Sequence, residues 1–325
     1  MRMWRIPGVL AGGFLLATFA WPVERPAPVG PRLAEMKAEP VVLDEADPDR
    51  RRLGALHFLE GWRLSSRDVR FGGVSAMHVE GGEVLALADT GSIFRFPVPR
   101  GAGALPLTID RIPRGPGSGR RKSDRDAEAL AVAEGRVWVA FETWNAVWRY
   151  RLPPWRFEAA AAPSALEELP FTHGPEAMVR LANGRFLIFG EGPSDESGTT
   201  PLLLFHGDPA RPATGVTRLR YRPSPGFRAT DAALLPDGRL LVLNRSFRLL
   251  RGWRAVLILA DPRRLRGGVL AGQEIAAFTG NVTVDNMEAL SVTREGRRTI
   301  VWIASDDNFN PLLQRTLLMK FALRL

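Results

Sequence analysis

The sequence predicts an all-β fold, a five-bladed β-propeller closed by pairing strands from the two ends of the chain. Three observations lead to this prediction: a recurring dipeptide, a set of glycine-containing turns and an unpartnered strand near the N-terminus. An acidic residue followed by alanine recurs as Glu128-Ala129, Glu176-Ala177, Asp231-Ala232 and Glu288-Ala289, with Ser75-Ala76 as a weaker fifth copy. The intervals of 53, 48, 55 and 57 residues fit a repeat made of one four-stranded blade.

The first twenty residues have the pattern of a secretory signal peptide. Arg2 and Arg5 precede an apolar stretch, residues 8–20, that is too short to cross a membrane comfortably. Thr18-Phe19-Ala20 offers a cleavage site, and an uncleaved membrane tether is the alternative. We therefore expect a periplasmic or secreted protein.

The next segment, residues 21–52, is rich in proline, alanine and charged residues and shows no sustained period. This composition predicts a flexible tether. Residues 53–325 are then predicted to form the propeller domain.

Four repeats contain a short apolar strand, a glycine-containing dipeptide and a second apolar strand. The dipeptides are Gly81-Gly82, Glu134-Gly135, Asn183-Gly184 and Asp237-Gly238. Glycine supplies the positive φ that tight hairpin turns require. The second strands, such as Val137 to Phe141, are apolar on both faces, which is typical of strands packed between neighbouring blades.

The last repeat has room for only three strands, which end with Thr316 to Leu323. An additional strand near His57 to Leu64 can supply the fourth, closing the ring and protecting the sheet edges. This gives five blades. Six blades are the alternative if the connection from Gly101 to Arg125 contains a divergent blade.

Composition narrows the classes of function. The 325 residues carry a net charge of +9, almost all of it from arginine, and contain no cysteine. Disulfides and thiol chemistry are therefore excluded. A basic surface favours anionic ligands, but no basic helix or aromatic-interleaved stripe is present, so we do not expect nucleic-acid binding.

Polar residues from the repeats are predicted to gather at one end of the propeller, because a hairpin returns the chain to the face where it started. The starts of the first strands contribute Ser75, Glu128, Glu176, Asp231 and Glu288. The ends of the second strands contribute Asp89, Glu142, Glu191, Arg245 and Asp306.

So many carboxylates around one channel mouth need a counter-charge, because neighbouring like charges raise one another's pKa. Oxygen ligands without cysteine, and histidines that lie outside the repeat pattern, favour Ca²⁺ over Zn²⁺. For any single acid, the alternative is a turn cap or an ion pair, notably with Arg245 or Arg315.

A serine nucleophile is a weaker prediction. No Gly-x-Ser-x-Gly motif exists, and the run around Ser75 lacks the second glycine. Ser75 is more typical of a hydrogen-bonding residue at a strand end, although its position in the ring keeps a serine-type carboxylesterase open.

Several motifs together resemble the phytase-like domain family, labelled "esterase-like activity of phytase" and found in exported bacterial proteins. They are Ala88-Asp89-Thr90-Gly91, Asp126-Ala127-Glu128-Ala129-Leu130, Gly174-Pro175-Glu176-Ala177, Asn286-Met287-Glu288-Ala289-Leu290 and Ser305-Asp306-Asp307-Asn308-Phe309-Asn310 with Gln314-Arg315-Thr316. The resemblance covers the chain from about His57 to its end and is most specific at the last motif.

This resemblance implies a β-propeller that hydrolyses phosphoesters or esters, and similarity to the calcium-dependent propeller phytases implies Ca²⁺ as the bridge to substrate. The predicted catalytic residues are Glu128, Glu176, Glu288 and Asp306. The predicted metal ligands are Asp89, Glu128, Glu176, Asp231, Glu288, Asp306 and Asp307. Arg245, Arg315 and Asn308 are predicted to bind the substrate.

The leading hypothesis is therefore a phytase-like, Ca²⁺-assisted phosphoester hydrolase that acts as a monomer on a small anionic or ester substrate. The alternatives are a non-catalytic propeller that binds a ligand or partner and uses Ca²⁺ only structurally, and the serine-type carboxylesterase. Metal-dependent turnover separates the first two, because a binding module forms no product.

Overall fold

The computed structural model describes residues 31–119, 121–169, 174–192 and 194–325. These residues form an all-β protein, and the predicted β-propeller is confirmed. The predicted signal segment, residues 1–20, lies outside the described residues. No described helix is long and apolar enough to cross a membrane.

Three strands precede the repeats, and four-stranded antiparallel units follow them. The first three strands are β1 (Arg32–Pro40), β2 (Arg52–Leu53) and β3 (Leu56–Ser66). Unit 1 consists of β4 (Val74–Glu80), β5 (Glu83–Ala88), β6 (Ser92–Pro97) and β7 (Gly103–Arg111). Unit 2 consists of β8 (Ala127–Ala133), β9 (Arg136–Phe141), β10 (Ala146–Arg151) and β11 (Arg156–Ala161).

The remaining strands continue the same pattern. Unit 3 consists of β12 (Pro175–Arg180), β13 (Phe186–Gly190), β14 (Thr200–Phe205) and β15 (Val216–Tyr221). Unit 4 consists of β16 (Arg228–Leu234), β17 (Leu240–Arg248), β18 (Gly252–Ala260) and β20 (Gly272–Phe278). The two-residue β19 (Val269–Leu270) lies between β18 and β20 in the sequence and pairs with β15 of unit 3. Unit 5 consists of β21 (Asn286–Glu295), β22 (Arg298–Asp306), β23 (Thr316–Leu323) and β3. A 3₁₀ turn (Lys122–Asp124) and one helical turn α1 (Ser164–Glu167) lie between units.

Glycines form the turns between the first and second strands where the sequence predicts them. Gly135, Gly184 and Gly238 have φ values of 68°, 80° and 86°, and Gly81 and Gly82 have 59° and 82°. A side chain is strained in this conformation, so glycine sets the hairpin turn.

The two ends of the chain pair as predicted. β3 is antiparallel to β23, with Leu64 opposite Thr316 and Leu56 opposite Leu323. The fourth strand of the last unit therefore comes from the N-terminal part of the chain, which closes the ring.

The tether prediction for residues 21–52 is wrong over its described part. Residues 32–40 form β1, which pairs with β3 on one side and with β7 on the other. β1 thus joins the first and last units into one continuous sheet. Met36 and Ala38 are its buried apolar residues, and the strands that pair with its two edges lie elsewhere in the chain, which local composition does not report.

The first strands of the units pack side by side in the order β4, β8, β12, β16 and β21, and β21 returns to contact β4. Apolar clusters fill the spaces between neighbouring units; Leu241 and Leu257 of unit 4, for example, share a cluster with Val301 and Met319 of unit 5. The first strands therefore surround the central axis, and their starting ends meet at one face.

Candidate functional site

Each of the five first strands has a β-bulge at the same place near its start. The register of β4 against β5 shifts between Val74 and Ala76, and matching shifts occur in the other units. A β-bulge leaves one residue unpaired and redirects its side chain. The unpaired residues are Ser75, Glu128, Glu176, Thr230 and Glu288.

This register corrects the alignment of the fourth repeat by one residue. Thr230, and not Asp231, occupies the bulge position of unit 4. The Asp231 carboxylate instead accepts hydrogen bonds from the backbone N–H groups of Ala232, at 2.7 Å, and Leu290, at 2.6 Å. Burial raises its pKa well above the usual value. Asp231 therefore ties unit 4 to unit 5 beneath the ring, and its predicted role as a metal ligand stays a prediction.

Two further rows of equivalent residues surround the bulge residues. Backbone pairing places the second-strand residues Asp89, Glu142, Glu191, Arg245 and Asp306 beside the residues two positions before each bulge. Those residues are Gly73, Asp126, Gly174, Arg228 and Asn286. The face thus combines the predicted rings with a third row that contains one more acid, Asp126.

Unit 2 carries the densest group of acids. Carboxylate oxygens of Asp126, Glu128 and Glu142 all lie within 4.8 Å of one another. Burial raises the pKa of Glu142 to about 7, and Asp126 adds to the shift. Burial also raises the pKa of Glu128 well above its usual value, with contributions from Glu176 and Asp126. We call these three residues the acid-only cluster.

Two neutral donors contact the acid-only cluster. The Thr143 hydroxyl donates to Asp126 Oδ2 at 2.7 Å, and the Gly174 N–H donates to Glu142 Oε1 at 3.3 Å. Within the described residues, none of the three acids forms an ion pair with a cation at salt-bridge distance. No cation therefore balances these acids by direct contact, and Lys122 acts on Asp126 and Glu128 only by electrostatic interaction at longer range.

Units 3, 4 and 5 contrast with unit 2, because an arginine balances their acids. Arg245 Nη1 lies 2.8 Å from Glu288 Oε1, and Arg245 Nη2 lies 3.4 Å from Glu191 Oε1. Arg245 also donates to the Asn286 side-chain oxygen, and Arg228 lies 3.6 Å from Glu191. We call Arg245, Glu191 and Glu288 the arginine-balanced cluster.

Glu288 of the arginine-balanced cluster still binds a proton more tightly than an ordinary glutamate does. Burial raises the pKa of Glu288 to about 7 although Arg245 opposes the shift. Glu176, between the two clusters, has its pKa raised well above the usual value by burial and by Glu191 and Glu142. Burial lowers the pKa of Arg245, but Glu288, Glu191 and Glu176 raise it overall.

Lys122 supplies a second cation at the opposite side of the ring. Its Nζ lies 2.6 Å from Asp89 Oδ2. Burial lowers the pKa of Lys122, but Asp89, Asp126 and Glu128 raise it overall. Asp89 also interacts electrostatically with Asp306, whose pKa burial raises well above the usual value. Lys122 therefore connects Asp89 to the acid-only cluster.

The C-terminal motif forms a connector between units 5 and 1. Asp307 Oδ1 accepts hydrogen bonds from the N–H groups of Gly73 and Phe309, each at 3.0 Å. The Phe309 ring occupies the space of a β-carbon at Gly73, so only glycine fits there. Asn308 donates from its side-chain amide to Gln314 Oε1 at 3.0 Å. Asp307 is thus engaged by backbone donors rather than directed only at a ligand.

Arg315 lies in a different environment from Arg245. Its guanidinium lies 3.6 Å from Asp285 and 3.7 Å from Glu45, and its backbone N–H donates to Asp285 at 3.1 Å. These residues line a groove of about 630 Å³ that also contains Trp253 and Leu312. Its predicted contact with substrate stays a prediction.

The two hydroxyl residues at bulge positions act alike. Ser75 Oγ donates to the carbonyl of Ala127 at 2.5 Å, and Thr230 Oγ1 donates to the carbonyl of Met287 at 3.1 Å. Each acceptor directly precedes the bulge residue of the next unit. Both hydroxyls therefore hold neighbouring units together, as expected for strand-end residues.

The site residues predicted from the sequence omit four participants. Asp126 lies two residues before Glu128, and this spacing on a strand could have identified it. The sequence predicts Glu142 and Glu191 in the ring but not among the site residues. Lys122 lies in a glycine-rich and basic loop, and nothing local in the sequence shows that it reaches Asp89.

A family model described as "Phytase-like: Esterase-like activity of phytase" matches residues 69–309. A crystal structure of Myxococcus xanthus glutaminyl cyclase is similar with a TM-score of 0.47 and 12% identity, covering 82% of this chain and 97% of that one. Kuenenia stuttgartiensis hydrazine synthase is similar with a TM-score of 0.37 and 11% identity, covering 74% of this chain and 58% of that one. No curated protein matches the chain in sequence.

Proposed function

This chain belongs to the phytase-like family, and we propose that it is an exported, Ca²⁺-assisted phosphoester hydrolase whose site is the acidic face of the propeller. The observation that carries the proposal is the acid-only cluster, in which oxygens of Asp126, Glu128 and Glu142 lie within 4.8 Å of one another. A fold supports many chemistries, so the residues of the site, rather than the propeller, support the function.

The donor set fits Ca²⁺. All three groups are carboxylates, hard oxygen donors that Ca²⁺ prefers, and their mutual repulsion favours a bound cation. Asp126, Glu128 and Glu142 would hold the ion, with Glu176 next to them. A bound Ca²⁺ supplies positive charge that offsets the carboxylates and polarises a phosphoryl oxygen.

Glu288, which is not one of the three residues that would hold the ion, supplies proton transfer. Burial raises its pKa to about 7, so it can hold or release a proton near neutral pH. That is the range in which a general acid or base is most effective. Glu288 lies beside Arg245, whose Nη1 is 2.8 Å from Glu288 Oε1 and fixes the position of the carboxylate.

Two cations on the same face can hold an anionic substrate. Arg245 lies over the Trp253 ring at 5.5 Å and is fixed by Glu288 and Glu191. Lys122 is held by Asp89 on the other side of the ring. Guanidinium and ammonium groups bind phosphate oxygens well.

Export is supported by the signal pattern in the first twenty residues.

The test is phosphate release from phytate and from simple phosphomonoesters, with added Ca²⁺ and with chelator. We expect release that requires Ca²⁺ and decreases strongly in Glu288→Gln. Folded, Ca²⁺-loaded protein that releases no phosphate from any phosphoester contradicts the proposal. In that case the same face is a binding site in which Ca²⁺ is structural.

A further inference from the structure

The exposed apolar side chains of this protein are concentrated at one end. Ten large apolar residues are exposed in the described part of the chain, and eight lie at the face that carries the acidic site. The other two, Leu265 and Leu325, lie at the opposite end. Isolated exposed leucines are ordinary, but their concentration on one face is typical of an interaction surface.

The most exposed of these residues occupy two neighbouring loops. The hairpin between β17 and β18 extends past Arg245 and ends in Leu249 and Leu250, which are 72% and 96% exposed. The loop between β22 and β23 carries Leu312 and Leu313, which are 94% and 74% exposed. Both loops line the groove that contains Trp253 and Arg315. They form adjacent apolar tips on one rim of the site.

The remaining apolar residues extend the same rim. Val69 lies between β3 and β4, Trp144 between β9 and β10, and Leu33 near the start of β1, all at the site end of their strands. Phe247 packs against Trp253, with ring centroids 4.8 Å apart and ring planes tilted by 50°. Different loops of the ring thus each present an apolar residue to solvent.

Exposed arginines accompany the apolar tips. Arg248 and Arg251 flank Leu249 and Leu250, and Arg67 lies two residues before Val69. Each of these arginines is exposed, and within the described residues none of the three forms an ion pair. Their charge is therefore available to an anionic partner.

We propose that this rim, defined by the loops at Val69, Trp144, Leu249-Leu250 and Leu312-Leu313, docks on an anionic lipid surface. Apolar side chains at separate loop tips can each enter the headgroup region, while neighbouring arginines bind lipid phosphates. Trp144 and Phe247 are residue types suited to that boundary. The separation of the tips over several loops favours a fluid surface over a single protein groove. Docking does not depend on the proposed hydrolysis.

The experiment uses position-specific labels, because the chain has no cysteine and one introduced cysteine is therefore unique. Leu250→Cys, Leu312→Cys and the matched control Leu265→Cys, each in the full chain, carry an environment-sensitive fluorophore. The vesicles contain phosphatidylglycerol mixed with phosphatidylcholine, or phosphatidylcholine alone. We expect a blue shift and quenching by brominated lipid at positions 250 and 312 but not at 265, and only with phosphatidylglycerol.

Labels at 250 and 312 that respond like the label at 265 overturn the proposal, even when the first twenty residues attach the chain to vesicles. Labels whose emission does not change with vesicles but shifts to the blue when protein extract is added also overturn the proposal, in favour of a protein partner. In a second measurement, the variant Leu249→Ser, Leu250→Ser, Leu312→Ser and Leu313→Ser should bind phosphatidylglycerol vesicles at least about tenfold more weakly than Leu265→Ser. If the fourfold serine variant binds these vesicles as tightly as Leu265→Ser does, the proposal is contradicted.

Discussion

The acid-only cluster of unit 2 and the arginine-balanced cluster of units 3 to 5 share one backbone geometry but differ in charge. Both contain a glutamate at a β-bulge and a residue at the end of the adjacent strand. In unit 2 that second residue is Glu142, whereas in unit 4 it is Arg245, which reaches Glu288 of unit 5. The repeat therefore fixes positions, and the residue at one strand end decides whether the neighbouring acids have a cation within salt-bridge distance.

The largest effect should come from removing charge in the acid-only cluster. In Asp126→Asn with Glu128→Gln, we expect Ca²⁺ affinity and Ca²⁺-dependent phosphate release to fall by at least about 100-fold, because two of three clustered oxygen donors lose their charge. Calorimetric titration with Ca²⁺ measures the affinity. The matched variant Glu191→Gln with Glu288→Gln should lower the affinity by about tenfold or less. Equal losses in the two variants would remove the distinction between the clusters.

Removing the arginine should destabilise the other cluster. Arg245→Met leaves Glu288 without its cation and Glu191 with Arg228 alone, and we expect a loss of about 3 kcal/mol in the free energy of unfolding near pH 8. The loss should shrink near pH 5, where Glu288, whose pKa is raised to about 7, is protonated. Urea denaturation at both pH values measures it. Arg263→Met, which breaks an exposed pair with Asp261, is the control and should change nothing measurable.

The pH dependence should show both clusters at once. Glu142 and Glu288 have folded-state pKa values raised to about 7 from an ordinary 4.5, so the folded chain binds more protons between these values. Stability without Ca²⁺ should therefore fall as pH rises through this window. We expect the melting temperature in chelator to drop by about 5 °C from pH 5 to pH 8, and saturating Ca²⁺ to reverse the trend. A melting temperature that rises with pH in chelator would contradict the pKa directions.

The smallest effects should come from the two hydroxyl residues at bulge positions. Ser75→Ala and Thr230→Val each remove one hydrogen bond to a neighbouring unit, and we expect each to cost about 1 kcal/mol of stability. Hydrolysis of phosphoesters and acyl esters should stay within about twofold of the parent. Loss of ester hydrolysis in Ser75→Ala alone would instead support the serine nucleophile.

The sequence predicts the repeat and its turns because both are local. Glycines such as Gly135 and Gly238 define the hairpins, and the acid-alanine pairs mark the first strands. Local sequence does not determine which residue of the fourth repeat occupies the bulge position. It depends on which residue is left unpaired opposite Leu243 and Asn244, and the acid at Asp231 hides the bulge at Thr230.

Two other features depend on distant parts of the chain. β1 buries little apolar area, and its order comes from edges supplied by β3 and β7, so its composition resembles a tether. The ion pair between Lys122 and Asp89 depends on the path of a loop between units 1 and 2. Periodicity reports neither feature, because each is produced by tertiary pairing.

The pairing of β3 with β23, reinforced by β1, also has a consequence for how the chain folds during synthesis. Leu64 is made long before its partner Thr316. Contacts so distant in sequence form late, because the entropy of closing the long loop must be met first. We therefore expect β3 to complete its pairing only after β23 is made, so that the propeller becomes one cooperative unit in a single closing step. Deleting β1 or β23 should then damage the same step from opposite ends of the chain.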